Sequence, residues 1–357
     1  MMPYQYDSRR LLCLAAGGFD PSARADQAAW RESPLPLHSR VHRLYLHAGA
    51  REHGAWVKRD DELSFGASGS KVRKYSSLLP DLVRQGATHG VVIGGQNSNN
   101  VLAAVQYLPE HGITPVLVLR EQRDRGLPGI ISMLITHMVA ERRVHLVQRS
   151  AWPEAYPLAC DRAVEQVKAD GGSPYVIPEG ASCAGALPGS MTLGIDIEEN
   201  ERQSGRRFDN VFIEAGSGLS SLALALYWEL AGQRRNLYIL CTAIGRDELL
   251  SIHRHWIASL GMAKSHVNIV ARQAREGSAE EISVNDLSET RAAGQRNGII
   301  FDPYYSGRLL RMMSELVAQG AVVPEASLMI HTGGGLGLLR YLVGQRPSLL
   351  TADRNAG

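Results

Sequence analysis

Lysine is scarce in this chain. Only five of its 357 residues are lysine (Lys58, Lys71, Lys74, Lys168 and Lys264), because most of the basic side chains are arginine. Chemistry that needs a lysine amine is therefore confined to a handful of positions. Cysteine is equally sparse. Cys13, Cys160, Cys183 and Cys241 form no CxxC pair, which leaves no zinc or dithiol motif and reads as free thiols in a reducing compartment. No run is long and apolar enough to span a bilayer. The stretch from Arg9 to Ala16 looks superficially like a signal sequence, but its apolar run is very short and Asp20 soon follows. A cytoplasmic location is expected. The net charge is only +2 and no basic block carries interleaved aromatics, so neither nucleic acid nor membrane is an expected partner. No metal site is expected either.

What is present is an alternation. Short apolar runs end in glycine or a polar turn, with amphipathic stretches between them. The runs are Val91–Ile93, Pro115–Leu119, Val144–Val147, Tyr175–Ile177, Val211–Ile213, Leu237–Cys241, Ile299–Phe301 and Leu328–Ile330. Their lengths suit buried parallel strands. Segments 100–107 and 220–230 carry helical periodicity, so the expected class is α/β with crossover connections. Residues 1–40, with four prolines, read as an arm over the body, and residues 271–297 as a helix–loop surface region.

Ligands of such sheets bind at the carboxyl ends of the strands. Three glycine-rich turns follow predicted strands: Gly94-Gly95-Gln96-Asn97-Ser98-Asn99-Asn100, Ala215-Gly216-Ser217-Gly218-Leu219-Ser220-Ser221 and His331-Thr332-Gly333-Gly334-Gly335. The second lacks the third glycine of GxGxxG and any Gly-Lys-Ser/Thr, so it matches neither a dinucleotide fingerprint nor a Walker A loop. Lys71 stands in Gly69-Ser70-Lys71-Val72-Arg73-Lys74, where a loop gives way to a predicted helix. One lysine and several Gly/Ser/Asn turns at strand ends are what a pyridoxal phosphate site requires, an amine for the Schiff base and backbone N–H groups for the phosphate. Each motif alone has a plainer reading. Lys71 to Lys74 reads as a solvated basic turn, Ser98 as a helix cap, the glycine turn as a tight connection, His331 as a structural histidine, and Tyr304 and Tyr305 as packing residues.

Taken together, these segments resemble the fold-type II (tryptophan synthase β-like) superfamily of pyridoxal phosphate enzymes. Within it they are most similar to the 1-aminocyclopropane-1-carboxylate (ACC) deaminase/D-cysteine desulfhydrase family. The resemblance rests on Lys58-Arg59-Asp60-Asp61 with the Lys71 segment, on Gly94 to Asn99, on Gly180-Ala181-Ser182-Cys183-Ala184-Gly185, on Ala215 to Gly218, on Asp302-Pro303-Tyr304-Tyr305-Ser306-Gly307 and on His331-Thr332-Gly333-Gly334. It holds in order and spacing from about residue 35 to 345.

The resemblance implies two open, twisted, mostly parallel sheets flanked by helices. Residues 1–73 and 184–357 are expected to form a large cofactor-binding domain and 74–183 a smaller inserted α/β domain, in a homodimer. Candidate catalytic residues are Lys71, Ser98 and Tyr305. Candidate cofactor-binding residues are Lys71, Asn99, Gly216, Ser217, Gly218, Leu219, Ser220, Ser306 and Thr332. The chain departs from the family at Ser70, Asn97, Asn100 and Leu219, around the expected substrate pocket. Position 306, a glutamate facing the pyridine nitrogen in ACC deaminases, is Ser306 here, as the threonine of the desulfhydrase branch would suggest. The expected activity is α-proton removal and β-elimination on a small amino acid, giving a keto acid and ammonia. β-Replacement, ACC ring opening and a catalytically silent binding module of the same fold are the alternatives.

Overall fold

The computed structural model describes residues 35–48, 51–66, 68–122, 129–262, 264–274 and 282–342. Most of the expected N-terminal arm, and the signal-like stretch, lie outside them. Among the described residues, ten strands fall into two sheets. The larger has the order β1 (Val41–Ala48), β2 (Arg51–Lys58), β10 (Ser327–Ile330), β7 (Asn210–Ala215), β8 (Arg235–Cys241), β9 (Val267–Gln273). It is parallel except for the β1–β2 hairpin. The smaller is wholly parallel, in the order β5 (Val144–Val147), β4 (Thr114–Arg120), β3 (His89–Gly95), β6 (Pro174–Ile177).

Among the described residues, ten α-helices connect and cover the sheets. They are α1 (Lys71–Arg84), α2 (Asn99–Glu110), α3 (Ile130–Met138), α4 (Trp152–Ala169), α5 (Leu187–Ser204), α6 (Leu219–Leu230), α7 (Arg246–Ser259), α8 (Val284–Asn297), α9 (Ser306–Ala318) and α10 (Gly335–Leu342). No helix among the described residues is long and apolar enough to cross a membrane.

The apolar runs pair as central strands because both faces are covered. Every residue of β7 is buried. One core joins the two sheets, with Val92 and Leu117 from the smaller, Ile213 and Leu328 from the larger, and Leu102 of α2 and Leu224 of α6 between them. The expected strand at Ile299–Phe301 is a correction. That segment is extended but unpaired in either sheet. Its Ile300 is exposed, and Phe301 stacks on the His331 ring at 5.4 Å. Apolar content reflected packing against a histidine and α9, not ladder pairing. Strands β1, β2 and β9 had no counterpart among the runs. In β1 Leu44 and Leu46 are buried in the core on alternate positions, with exposed Tyr45 between them, as in one-sided strands.

A buried ionic cluster ties β2, α1 and α5 together. Arg73 donates to Asp60 (2.7 and 2.8 Å) and to Asp196 (2.6 Å), and Lys58 pairs with Asp196 at 2.5 Å. All four side chains are almost fully out of solvent. The cluster fixes the start of α1 and so the direction from which Lys71 enters the space between the sheets.

Candidate active site

Loops at the carboxyl ends of β3, β7 and β10 enclose a cavity of about 700 Å³ between the two sheets. Lys71 is the first residue of α1 and lines it. The loop before it is pressed onto the turn after β10, where Ser70 N–H donates to the Thr332 carbonyl at 2.9 Å. That contact requires glycine at 69. Its φ is +55°, and a Cβ there would lie 2.2 Å from the same carbonyl oxygen. Burial lowers the pKa of the Lys71 amine, with Glu214 and Asp60 pulling the other way. A neutral amine is the nucleophilic form. Its nearest hydrogen-bond partner is Ser70 Oγ, at 3.5 Å.

The turn after β7 opens α6. Gly218 sits at φ +88° as its cap residue and supplies no side-chain cap. The first-turn N–H groups of α6 thus have no capping side chain, and Gly216, with nothing within 4 Å of where a Cβ would be, faces open space. Across from them, Ser182 Oγ donates to Ser217 Oγ at 2.8 Å. Lys74 also lines the cavity, with its Nζ on the Gly180 carbonyl at 2.6 Å. Burial and the neighbouring Lys71 charge lower its pKa to about 7.

The turn after β3 opens α2. Ser98 Oγ accepts from the N–H groups of Asn100 and Val101, at 3.2 and 3.3 Å. Ser98 therefore caps the helix and lines the cavity at once. Among the described residues, Asn99 Oδ1 and both amide atoms of the Asn100 side chain are buried with no hydrogen-bond partner. Buried polar atoms are rarely left so, and these line the cavity.

Tyr305 also lines the cavity, edge-on to Tyr304 with ring centroids 4.5 Å apart. Burial raises its hydroxyl pKa, with Tyr304 and Asp302 adding to the shift. It is therefore held as a proton donor.

The cavity wall brings together Lys71, Ser98, Asn99, Gly216, Ser217, Gly218, Leu219, Ser220, Tyr305 and Thr332. Ser306 is not on that wall. Its side chain is fully buried, and Oγ accepts from the Asp302 N–H (2.8 Å) and donates to the Asp302 carboxylate (2.7 Å). It closes the turn into α9. The site also contains groups that motif reading passed over. Glu214, the next-to-last residue of β7, is buried on the wall and takes a hydrogen bond from the Thr332 hydroxyl. A carboxylate at the end of an otherwise apolar strand was the available signal. Lys74 and Asn100 stood in quoted motifs without a role. Arg120, at the end of β4, pairs with Glu179 at 3.8 Å and lies over Trp152. Among the described residues no group of three or more His, Cys, Asp or Glu side chains is arranged to hold a metal ion.

Comparison with known proteins agrees with this geometry. A putative 1-aminocyclopropane-1-carboxylate deaminase of Pyrococcus horikoshii is 30% identical over 306 residues, covering 83% of this chain and 90% of that protein. The mitochondrial bifunctional D-cysteine desulfhydrase/1-aminocyclopropane-1-carboxylate deaminase of Arabidopsis thaliana is 26% identical over 322 residues, 85% of this chain and 80% of that one. In fold, the chain superposes on the crystal structure of an ACC deaminase homologue with a TM-score of 0.71 and 23% identity, over 89% of this chain and 99% of that one. The family described as "Pyridoxal-phosphate dependent enzyme" matches residues 31–333. With its lysine, uncapped helix start and unpartnered amides on one cavity, this chain belongs to that family of pyridoxal-phosphate-dependent enzymes.

Proposed function

We propose that this pyridoxal-phosphate-dependent enzyme is a lyase that removes the α-proton of a small amino acid and expels a β-substituent, releasing a keto acid and ammonia, in the manner of a D-cysteine desulfhydrase. The observation that carries this reading is the convergence of Lys71, the bare start of α6 and the orphaned amides of Asn99 and Asn100 on one cavity. These residues fit the cofactor. Residues 216–220 offer N–H groups to a phosphate, Lys74 offers a cation beside them, and Lys71 offers the amine. Bound there, pyridoxal phosphate supplies an aldehyde for amines and an electron sink for negative charge at the α-carbon.

The chain's own groups do the rest. Lys71 Nζ, whose pKa burial lowers toward the neutral form, takes the α-proton. Tyr305 Oη, kept protonated, lies on the same wall and returns one. Asn100 Nδ2 and the Ser98 hydroxyl proton are donors for a substrate carboxylate, and Asn99 Oδ1 is an acceptor. The inserted domain of residues 74–183, set in a larger one of 1–73 and 184–357, is supported by the confinement of β3 to β6 to one sheet. We read the protein as a cytoplasmic homodimer. Cys183 and Cys241, in no disulfide among the described residues, suit a reducing compartment, and the dimer follows from the family resemblance.

A panel of D- and L-cysteine, O-acetylserine, O-phosphoserine and ACC, read by mass spectrometry, tests the reaction. Keto acid and ammonia released from a β-substituted amino acid without an added nucleophile is the expected result. Product only when a nucleophile is added would instead identify β-replacement. That second reading is favoured by Asn97, Asn100 and Leu219, which depart from the family and all line the cavity.

Lys74 gives the site a distinct pH signature. Its pKa is about 7 in the cofactor-free protein, against 10.5 for an ordinary lysine. Between these values the unfolded chain holds a proton that the folded chain lacks, so this group adds stability as pH rises through that window. A phosphate dianion beside it reverses the shift, and binding then draws a proton from solution. Calorimetry of cofactor binding at pH 8, in buffers of different ionisation enthalpy, is expected to show net proton uptake that Lys74→Met removes. Affinity in the unaltered protein falls as pH rises above 7. Uptake that persists in the variant would place the titrating group elsewhere.

A further inference from the structure

We propose that the Glu214 carboxylate, steadied by the Thr332 hydroxyl, is the partner of the cofactor's pyridine nitrogen and holds that nitrogen protonated. The inference rests on the reading of Lys71 as the cofactor's attachment point.

Two carboxyl groups are buried on this part of the cavity wall, Asp302 and Glu214. Asp302 is spent on structure. Its oxygens accept from the N–H groups of Tyr304 (2.9 Å), Tyr305 (2.6 Å) and Ser306 (3.0 Å) and from the Ser306 hydroxyl (2.7 Å). Glu214 differs. One oxygen takes the Thr332 hydroxyl, and the other, Oε2, is buried with no partner among the described residues. A buried carboxyl oxygen with nothing to bind is costly unless a ligand completes it. The remaining carboxylates of the wall, Glu121, Glu179 and Glu248, are not buried.

The chemistry of the cofactor selects the atom. Its phosphate and phenolic oxygens carry negative charge and repel a carboxylate. Its aldehyde carbon goes to Lys71. The ring nitrogen is left, and among the ring atoms it alone becomes cationic on protonation. Ser306, the residue that sequence pointed to for this role, has its hydroxyl committed to Asp302 and does not reach the cavity wall.

Proton balance is simple. Burial raises the Glu214 pKa in the cofactor-free protein, while Thr332 and Lys71 favour the anion. In its neutral form the carboxyl brings the proton. On binding, that O–H bond breaks and an N–H bond forms at the pyridine, leaving a carboxylate–pyridinium pair of unchanged total charge. The Thr332 hydroxyl on the carboxylate and the attraction of the new ion pair hold the proton on nitrogen. A protonated ring is the stronger electron sink, which means that a hydroxyl at position 306 does not by itself argue against ring opening.

The test is nitrogen-15 NMR of protein reconstituted with ring-labelled pyridoxal phosphate. In the unaltered protein at pH 7 the resonance is expected at the pyridinium position, moving to the neutral-pyridine position in Glu214→Gln. Cofactor affinity is expected to fall about 10- to 100-fold in Glu214→Gln, with the borohydride-reducible bond to Lys71 retained. A neutral-pyridine resonance in the unaltered protein overturns the proposal without any variant. So does a pyridinium resonance that Glu214→Gln leaves in place. Absence of a reducible bond in the unaltered protein would overturn the Lys71 reading instead.

Discussion

Lys71→Ala is expected to abolish borohydride-reducible attachment of pyridoxal phosphate and to lower turnover about 10²- to 10⁴-fold, the range for loss of a positioned proton-transfer group. The visible band of the lysine-bound cofactor disappears with it. Lys74→Ala is the control. It removes a cation from the same wall, three residues along α1, but leaves the reducible linkage and its band in place. The two lysines are both desolvated, and a Lys-x-x-Lys run by itself lets either be the nucleophile. Geometry separates them. Lys74 Nζ is held by the Gly180 carbonyl at 2.6 Å, whereas Lys71 has only a 3.5 Å contact to Ser70. A reducible adduct that survives in Lys71→Ala and is lost in Lys74→Ala would exchange their roles.

The sequence made the central strands and the three turns legible because both depend on local pattern. A strand buried on both faces is a continuous apolar run, and β7 and β8 were visible as such. A turn that opens a helix beneath a ligand needs Gly, Ser and Asn, and those stood out at 94–100, 215–221 and 331–335. What stayed hidden depends on long-range pairing. The β1–β2 hairpin alternates, since it needs one apolar face only, and Ile299–Phe301 is apolar because it packs on His331. At the site, Ser306 was placed by analogy of position. The orientation of its hydroxyl is set by Asp302, four residues earlier, at the entry to α9. Glu214 was hidden for the opposite reason. A glutamate at a strand end usually reads as solvent-facing, and only the packing of β10 beside β7 puts Thr332 against it and closes both off from water.

Asp196→Ala is expected to lower stability by about 3–5 kcal/mol, the cost of leaving buried charge without its partner. Asp196 is fully buried and accepts from Lys58 (2.5 Å), Arg73 (2.6 Å), His38 (2.6 Å) and the Ser39 N–H (3.1 Å). Burial alone would raise its pKa, but Lys58 and Arg73 outweigh that and hold the carboxyl below the ordinary range. With Asp60, the cluster has two anions and two cations. Deleting one anion leaves a net positive charge in the core, and Lys58, already lowered in pKa by burial, is the group that gives up its proton. Urea unfolding of the cofactor-free protein measures the loss as a lower midpoint. Removing a matched pair, Lys58→Met with Asp196→Leu, restores the balance and is expected to recover most of it. Arg40→Ala, which breaks an exposed pair with Glu62, changes stability by no more than about 1 kcal/mol. Because Arg73 lies two residues beyond Lys71 on the first turn of α1, Asp196→Ala should also weaken cofactor retention, though Asp196 does not line the cavity. A double variant no more stable than Asp196→Ala would mean that shape rather than charge balance holds α1 in place.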